Sequence, residues 1–129
     1  MIAIDTNLIV RYLTGDHPKQ SPRARALIDG EPVFAPVTVV LEAEWVLRST
    51  YGHQAAEVAR ALRALAGLAT VSIEDEPAVA AALDLAEQGM DFADALHLAR
   101  SVQCDGFVSL DREFVRAAKL AGFDGVREA

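Results

Sequence analysis

Cysteine is nearly absent from this chain. Cys104 stands alone, so no internal disulfide is possible, and a reducing compartment such as the cytoplasm is expected. Lysine is almost as scarce, with only Lys19 and Lys119. The cationic side chains are therefore nearly all arginine, whose planar fork suits carboxylate or phosphate. Acidic residues outnumber basic ones 19 to 12, for a net charge of -7. That balance excludes a general phosphate-backbone binder, because such binding rests on Lys and Arg displacing counterions. Any nucleic-acid contact must be local or come through a bound cation. No apolar run approaches the roughly 20 residues that span a bilayer, so no membrane association is expected. No basic segment leads into a long apolar stretch near Met1, and no signal peptide is expected. The histidines, His17, His53 and His97, are scattered, and no Cys-His cluster suggests zinc.

Apolar residues make up 52% of the 129, which supports a folded core and argues against disorder. Neither a linker nor a repeat interrupts the chain, and one domain over residues 1–129 is expected. Met1 to Ile4 reads as a short buried strand. Short strands are also expected at Val33–Ala35, Val71–Ile73 and Phe107–Leu110, with a last one near Val126. Helices are expected at Leu8–Leu13, from Ser21 to Gly30, and over Thr38–Thr50, Ala55–Leu65, Glu76–Gln88, Asp91–Cys104 and Asp111–Leu120. Most are closed by a glycine. Strands alternating with helices imply an α/β fold, a mostly parallel sheet covered on both faces.

In such folds ligands collect beyond the carboxyl ends of the strands. The stretch MIAIDTN puts Asp5 there, and Asp111 follows a later strand in the same way. Each alone is adequately explained as a helix N-cap, where its side chain accepts an unpaired backbone N–H. The segment MDFADALHL adds Asp91, a natural N-cap, and Asp94 three residues on. Asp94 is less easily explained, because Ala93, Ala95, Leu96 and Leu98 surround it and a carboxylate there needs a partner. His97 or a metal ion would serve. Glu42 and Glu44 lie in TVVLEAEWVLR. Glu44 has Arg48 at i+4, a favourable solvated pair, whereas Glu42 has no cation in helical reach. Asp5, Glu42, Asp94 and Asp111, with Asp91 behind them, form the candidate set. Four carboxylates together would raise one another's pKa, and a divalent cation removes that conflict. Oxygen-only ligands suit Mg2+ or Mn2+, and such a site can activate water for in-line attack on phosphate.

In this order and over this length, the motifs DTN (5–7), VTVVLE (37–42), DFADA (91–95) and SLD (109–111) resemble those of a PIN domain. More narrowly, they resemble the VapC-type toxins of bacterial toxin-antitoxin pairs. The resemblance implies a three-layer α/β/α fold and an Mg2+-dependent ribonuclease leaving 5'-phosphate and 3'-hydroxyl ends. The acidic quartet maps onto Asp5, Glu42, Asp94 and Asp111. Asp91 matches an acidic position near the site, and Thr6 and Ser109 match supporting hydroxyls. Dimerisation and an antitoxin partner whose tail covers the site are also implied. So is the reading that Ile2 to Ile4 form a central strand.

The nearest alternative is an RNA-processing PIN nuclease outside a toxin pair, usually part of a longer chain. A PIN fold that has lost catalysis is opposed by the intact quartet. A receiver-type phospho-signalling domain shares the length and an acidic Mg2+ pocket. It needs paired acidic residues after the first strand, whereas Thr6 and Asn7 follow Asp5, and Glu74-Asp75 mimics its phosphoacceptor region only loosely. A haloacid-dehalogenase-like phosphatase needs an aspartate where Asn7 stands. Arg11, Arg48 and Arg112 are weighed as phosphate contacts against ordinary salt bridges, with the salt bridge favoured for Arg48. Trp45 and Tyr51 are weighed as base-stacking rings, with core packing favoured for Trp45. Cys104 is expected to be a buried small apolar residue.

Overall fold

Asp5 starts the first helix by accepting the backbone N–H of Thr6 at 2.7 Å. Gly15 ends that helix in the left-handed region, at φ 64°, with its own N–H on the Arg11 carbonyl. A side chain at Gly15 would be strained there. This is α1, Thr6–Thr14, in a computed structural model that describes all residues 1–129. The chain forms two compact units, Met1–Glu76 and Pro77–Ala129.

In the first unit, strand β1 (Ile2–Ala3) precedes α1. There follow α2 (Gln20–Gly30), β2 (Val33–Ala35), α3 (Val37–Ser49), α4 (Ala55–Ala66) and β3 (Val71–Ile73). The strands form a parallel sheet in the order β1-β2-β3, with Ile2 opposite Val33 and Phe34 opposite Ser72. Val33 and Ala35, on one face of β2, are fully buried, and Phe34 on the other face is half-buried. Ile9, Ala24, Ile28 and Ala43 are equally inaccessible, and Leu47, Val58, Leu62 and Leu65 are nearly so. Truncating Ile28 to Ala would cost roughly 2–5 kcal/mol.

The expected buried, central first strand is corrected. β1 has one neighbour, β2, and is the edge of its sheet. Met1 and Ile2 are exposed, and only Ile4, just past the strand, is buried, its N–H on the Phe34 carbonyl at 2.9 Å. A run of apolar residues shows that burial is possible, but strand order decides which of them obtain it.

Helix α5 (Glu76–Glu87) begins on the last residue of the first unit. The second unit then has α6 (Phe92–Ala99), β4 (Phe107–Ser109), α7 (Arg112–Leu120) and β5 (Val126–Glu128). β4 and β5 pair in parallel, with Phe107 opposite Val126. Gly106 permits this approach: a Cβ there would meet the Gly125 carbonyl oxygen at 2.7 Å. Leu98, Phe114, Val115, Ala118 and Val126 form the local core, with Met90, Phe107 and Phe123 against it. Phe107 and Phe114 meet edge to face at 5.5 Å.

Every strand pairing is parallel and helices connect the strands, so the α/β expectation is borne out. Helix α6 stops at Ala99 and does not reach Cys104. The last turn tightens as Ser101 N–H bonds the Leu98 carbonyl and the Ser101 hydroxyl takes that of His97. The residues beyond, Val102 included, have no buried face to hold a helix, and Cys104 is exposed, not buried as expected.

Candidate functional site

Two of the four candidate carboxylates meet at one threonine. Thr6 is buried at the first position of α1, its backbone N–H on Asp5 Oδ1. Its hydroxyl donates to Oε1 of Glu42, which projects from the middle of α3. Packing of α1 against α3 makes this contact possible. Asp5 and Glu42 are themselves exposed, so their free oxygens face water. The hydroxyl expected to support an aspartate thus engages the glutamate instead, and Asp5 is met by the backbone N–H of Thr6.

Glu44 behaves differently from the expectation. Its pairing with Arg48 is present in bidentate form, Nε to Oε2 at 2.6 Å and Nη2 to Oε1 at 3.1 Å. Only the Arg48 side of the pair meets solvent, however, because Glu44 is 3% exposed and Arg48 30%. Successive positions of α3 turn by about 100°, which carries Glu44 to the buried face and leaves Glu42 outside. Helix α3 starts at a proline cap with no side-chain acceptor, and Glu74, just past β3, supplies one by accepting the Val37 N–H at 2.8 Å. That structural task accounts for the carboxylate weighed as part of a phosphoacceptor region.

In the second unit Asp91 caps α6, accepting the Asp94 N–H at 3.2 Å. Asp111 caps α7, accepting the Phe114 N–H at 3.1 Å. The Ser109 hydroxyl accepts the Asp111 N–H at 3.0 Å and fixes its backbone. Asp94 caps nothing. Burial pushes its carboxyl above the usual carboxylate range, and the negative charges of Asp91 and Asp111 push it further, against a smaller lowering by His97. Asp91, Asp94 and Asp111 therefore share one negative field.

The arginines resolve into structural roles. Arg11 reaches Gln20 at 3.0 Å, Tyr51 at 2.8 Å and Asp16 at 3.3 Å, and Arg112 pairs with Glu128 at 2.9 Å. Tyr51 stacks on His53. The expected core packing of Trp45 is corrected: the residue is 56% exposed. A cleft of about 450 Å³ lies along α1 and α2, lined by Asn7, Leu8, Arg11, Gln20, Arg23, Ala24 and Leu27, none of them acidic. Nothing in the residue pattern signals this cleft, since its walls come from two helices whose angle only packing sets.

Nowhere do three His, Cys, Asp or Glu side chains come close enough together, as they stand, to form a ready metal cage. The donor chemistry nonetheless fits a hard divalent ion. The candidate ligands offer carboxylate oxygens only, and the negative charges of Asp91 and Asp111 beside the half-buried Asp94 are the kind a cation offsets. No helix is long and apolar enough to cross a membrane. A family model described as PIN domain matches residues 2–120. No curated protein matches the chain.

Proposed function

The chain belongs to the PIN domain family, whose members are generally nucleases, and from that premise we propose that it is a metal-dependent endoribonuclease. Its work is hydrolysis of RNA phosphodiester bonds. Asp5, Asp94 and Asp111 would hold Mg2+, or Mn2+ in its place, with Glu42 completing the set. When bound, the ion lowers the pKa of water and offsets charge developing on the phosphate. The protein's own part is to orient and to accept protons. Thr6 occupies Oε1 of Glu42, which leaves Oε2 to align and deprotonate an attacking water. The same threonine fixes Asp5 through its backbone N–H. Ser109 fixes Asp111, and Asp91 starts the helix that carries Asp94. Water adds to phosphorus as the bond to the 3'-oxygen breaks, giving a 5'-phosphate and a 3'-hydroxyl.

The observation that carries this reading is the double engagement of Thr6. Capping α1 needs only Asp5; binding Glu42 from another helix as well serves a site. The likeness of the motifs to VapC-type toxins supports a finer proposal. The protein acts in the cytoplasm as the toxin of a toxin-antitoxin pair, as a homodimer within a single domain over 1–129, silenced by a cognate antitoxin.

Total cellular RNA incubated with the protein in Mg2+, Mn2+ or EDTA, beside Asp5→Asn, tests the activity. Discrete fragments that need metal and vanish in the variant are expected. Folded protein, free of inhibitor, that cuts in no metal would overturn the reading. Growth arrest on expression, relieved by the neighbouring gene's product, tests the toxin role.

A further inference from the structure

Trp45 is the chain's only tryptophan, and it is 56% exposed. It lies on a solvent stripe of α3 made by Thr38, Glu42, Trp45 and Ser49, at helical spacings of four, three and four. The opposite face carries the buried Val40, Ala43, Glu44 and Leu47. The ring forms no aromatic pair within the chain. An indole is among the largest apolar surfaces a side chain can bury, and here most of that gain is unused in folding.

Its neighbours argue for the kind of partner. A protein interface is built around a contiguous apolar patch, whereas Trp45 shares its stripe with a threonine, a glutamate and a serine. Glu42 precedes it by three positions, so their Cβ atoms are roughly 5–6 Å apart. A base attached to a phosphodiester at Glu42 falls within reach of the ring. Stacking needs no positive charge, which suits a chain of net charge -7 that cannot rely on phosphate contacts.

We propose that Trp45 is the stacking platform for an RNA base adjoining the bond to be cut. This rests on the ribonuclease reading above, and it makes Trp45 a substrate-contacting residue that selects unpaired RNA. Double-stranded RNA keeps its bases stacked within the helix and cannot offer one.

Emission from the single tryptophan reads this directly. The protein is titrated with unlabelled single-stranded RNA oligonucleotides in EDTA and, separately, in Ca2+. Saturable quenching is expected in at least one of these, with a matched duplex giving none. Binding of end-labelled RNA, followed by anisotropy, should weaken about 10- to 100-fold in Trp45→Ala and much less in Trp45→Phe, which keeps a π-face. Circular dichroism establishes that both variants fold. In cleavage assays the loss should fall on KM more than on kcat. Emission indifferent to RNA, or Trp45→Ala binding as the parent does, overturns the proposal while metal-dependent cleavage leaves the nuclease reading intact. Quenching without cleavage in any metal overturns the nuclease reading and, with it, the placing of Trp45 beside a cleaved bond. A blue shift that grows with protein concentration alone also overturns it, since a second copy would then cover the ring.

Discussion

Glu42 and Glu44 stand two positions apart on α3 and have opposite surroundings. Glu44 is buried, held in two hydrogen bonds by Arg48, and its negative charge is compensated on the spot. Glu42 is exposed and bonded to a neutral hydroxyl, with no cation of the chain beside it. The difference teaches that a carboxylate's role follows from its partner more than from its neighbours in sequence. A cation of the chain's own makes Glu44 part of the scaffold, and the lack of one leaves Glu42 open to the metal role proposed for it.

The sharpest way to break this comparison is to neutralise each glutamate in turn. Glu42→Gln should lower RNA cleavage by about 100-fold or more, the scale of a lost general base, with an unchanged unfolding midpoint. Glu44→Gln should cleave RNA nearly as the parent does and unfold more easily. Equal losses of activity in folded Glu42 and Glu44 variants would remove the distinction.

Arg48→Met comes next in size, because it strands a buried carboxylate. A loss of about 2–4 kcal/mol in urea unfolding is expected, below the fully buried case because Arg48 is 30% exposed. Adding Glu44→Leu to it should recover most of that loss, and a further drop in the double variant would contradict the account. Thr6→Val removes the hydroxyl and keeps the shape. It should cost about 0.5–1.5 kcal/mol and lower cleavage roughly tenfold by loosening Glu42.

The aspartates of α6 extend the comparison at smaller scale. Asp91→Ala removes an N-cap and should cost about 0.5–2 kcal/mol by thermal unfolding. Asp94→Asn should instead stabilise the metal-free protein by about one to a few degrees. The sign follows from its raised pKa, whose first cause is burial. The folded chain holds that proton more tightly than the unfolded chain. The stability it adds is therefore full below its ordinary value of 3.8 and is lost as pH rises through the raised one. Asparagine has no proton to lose, so the variant's advantage should grow from acid toward neutral pH. A variant less stable than the parent at neutral pH would show that Asp94 is a structural partner and not a strained ligand.

Much of this was legible in the sequence where local physics governs. The helix starts at Asp5, Asp91 and Asp111 follow from the capping chemistry of aspartate, and the stop at Gly15 follows from a backbone only glycine adopts easily. The Glu44–Arg48 pair follows from i,i+4 spacing. The oddity of Asp94 was visible in its apolar flanks, and its raised pKa has that cause. These are interactions over one turn of chain, and they need no knowledge of what packs where.

Which face of a helix is inside is a different kind of question. Trp45 looked like core because indole is apolar, yet the packing of α3 turned it outward and turned Glu44 in. Ile2 looked buried because its strand is apolar, yet the order β1-β2-β3 placed that strand at an edge and left Ile2 exposed. The bond from Thr6 to Glu42 joins residues from two helices, and only the docking of α1 on α3 creates it. The amino-acid sequence determined the α/β alternation, the helix caps and the identity of the acidic residues, since each depends on backbone and side-chain chemistry over a few positions. The tertiary structure decided which carboxylate is paired, which is free and which ring meets water, because burial and long-range contacts belong to the packed chain.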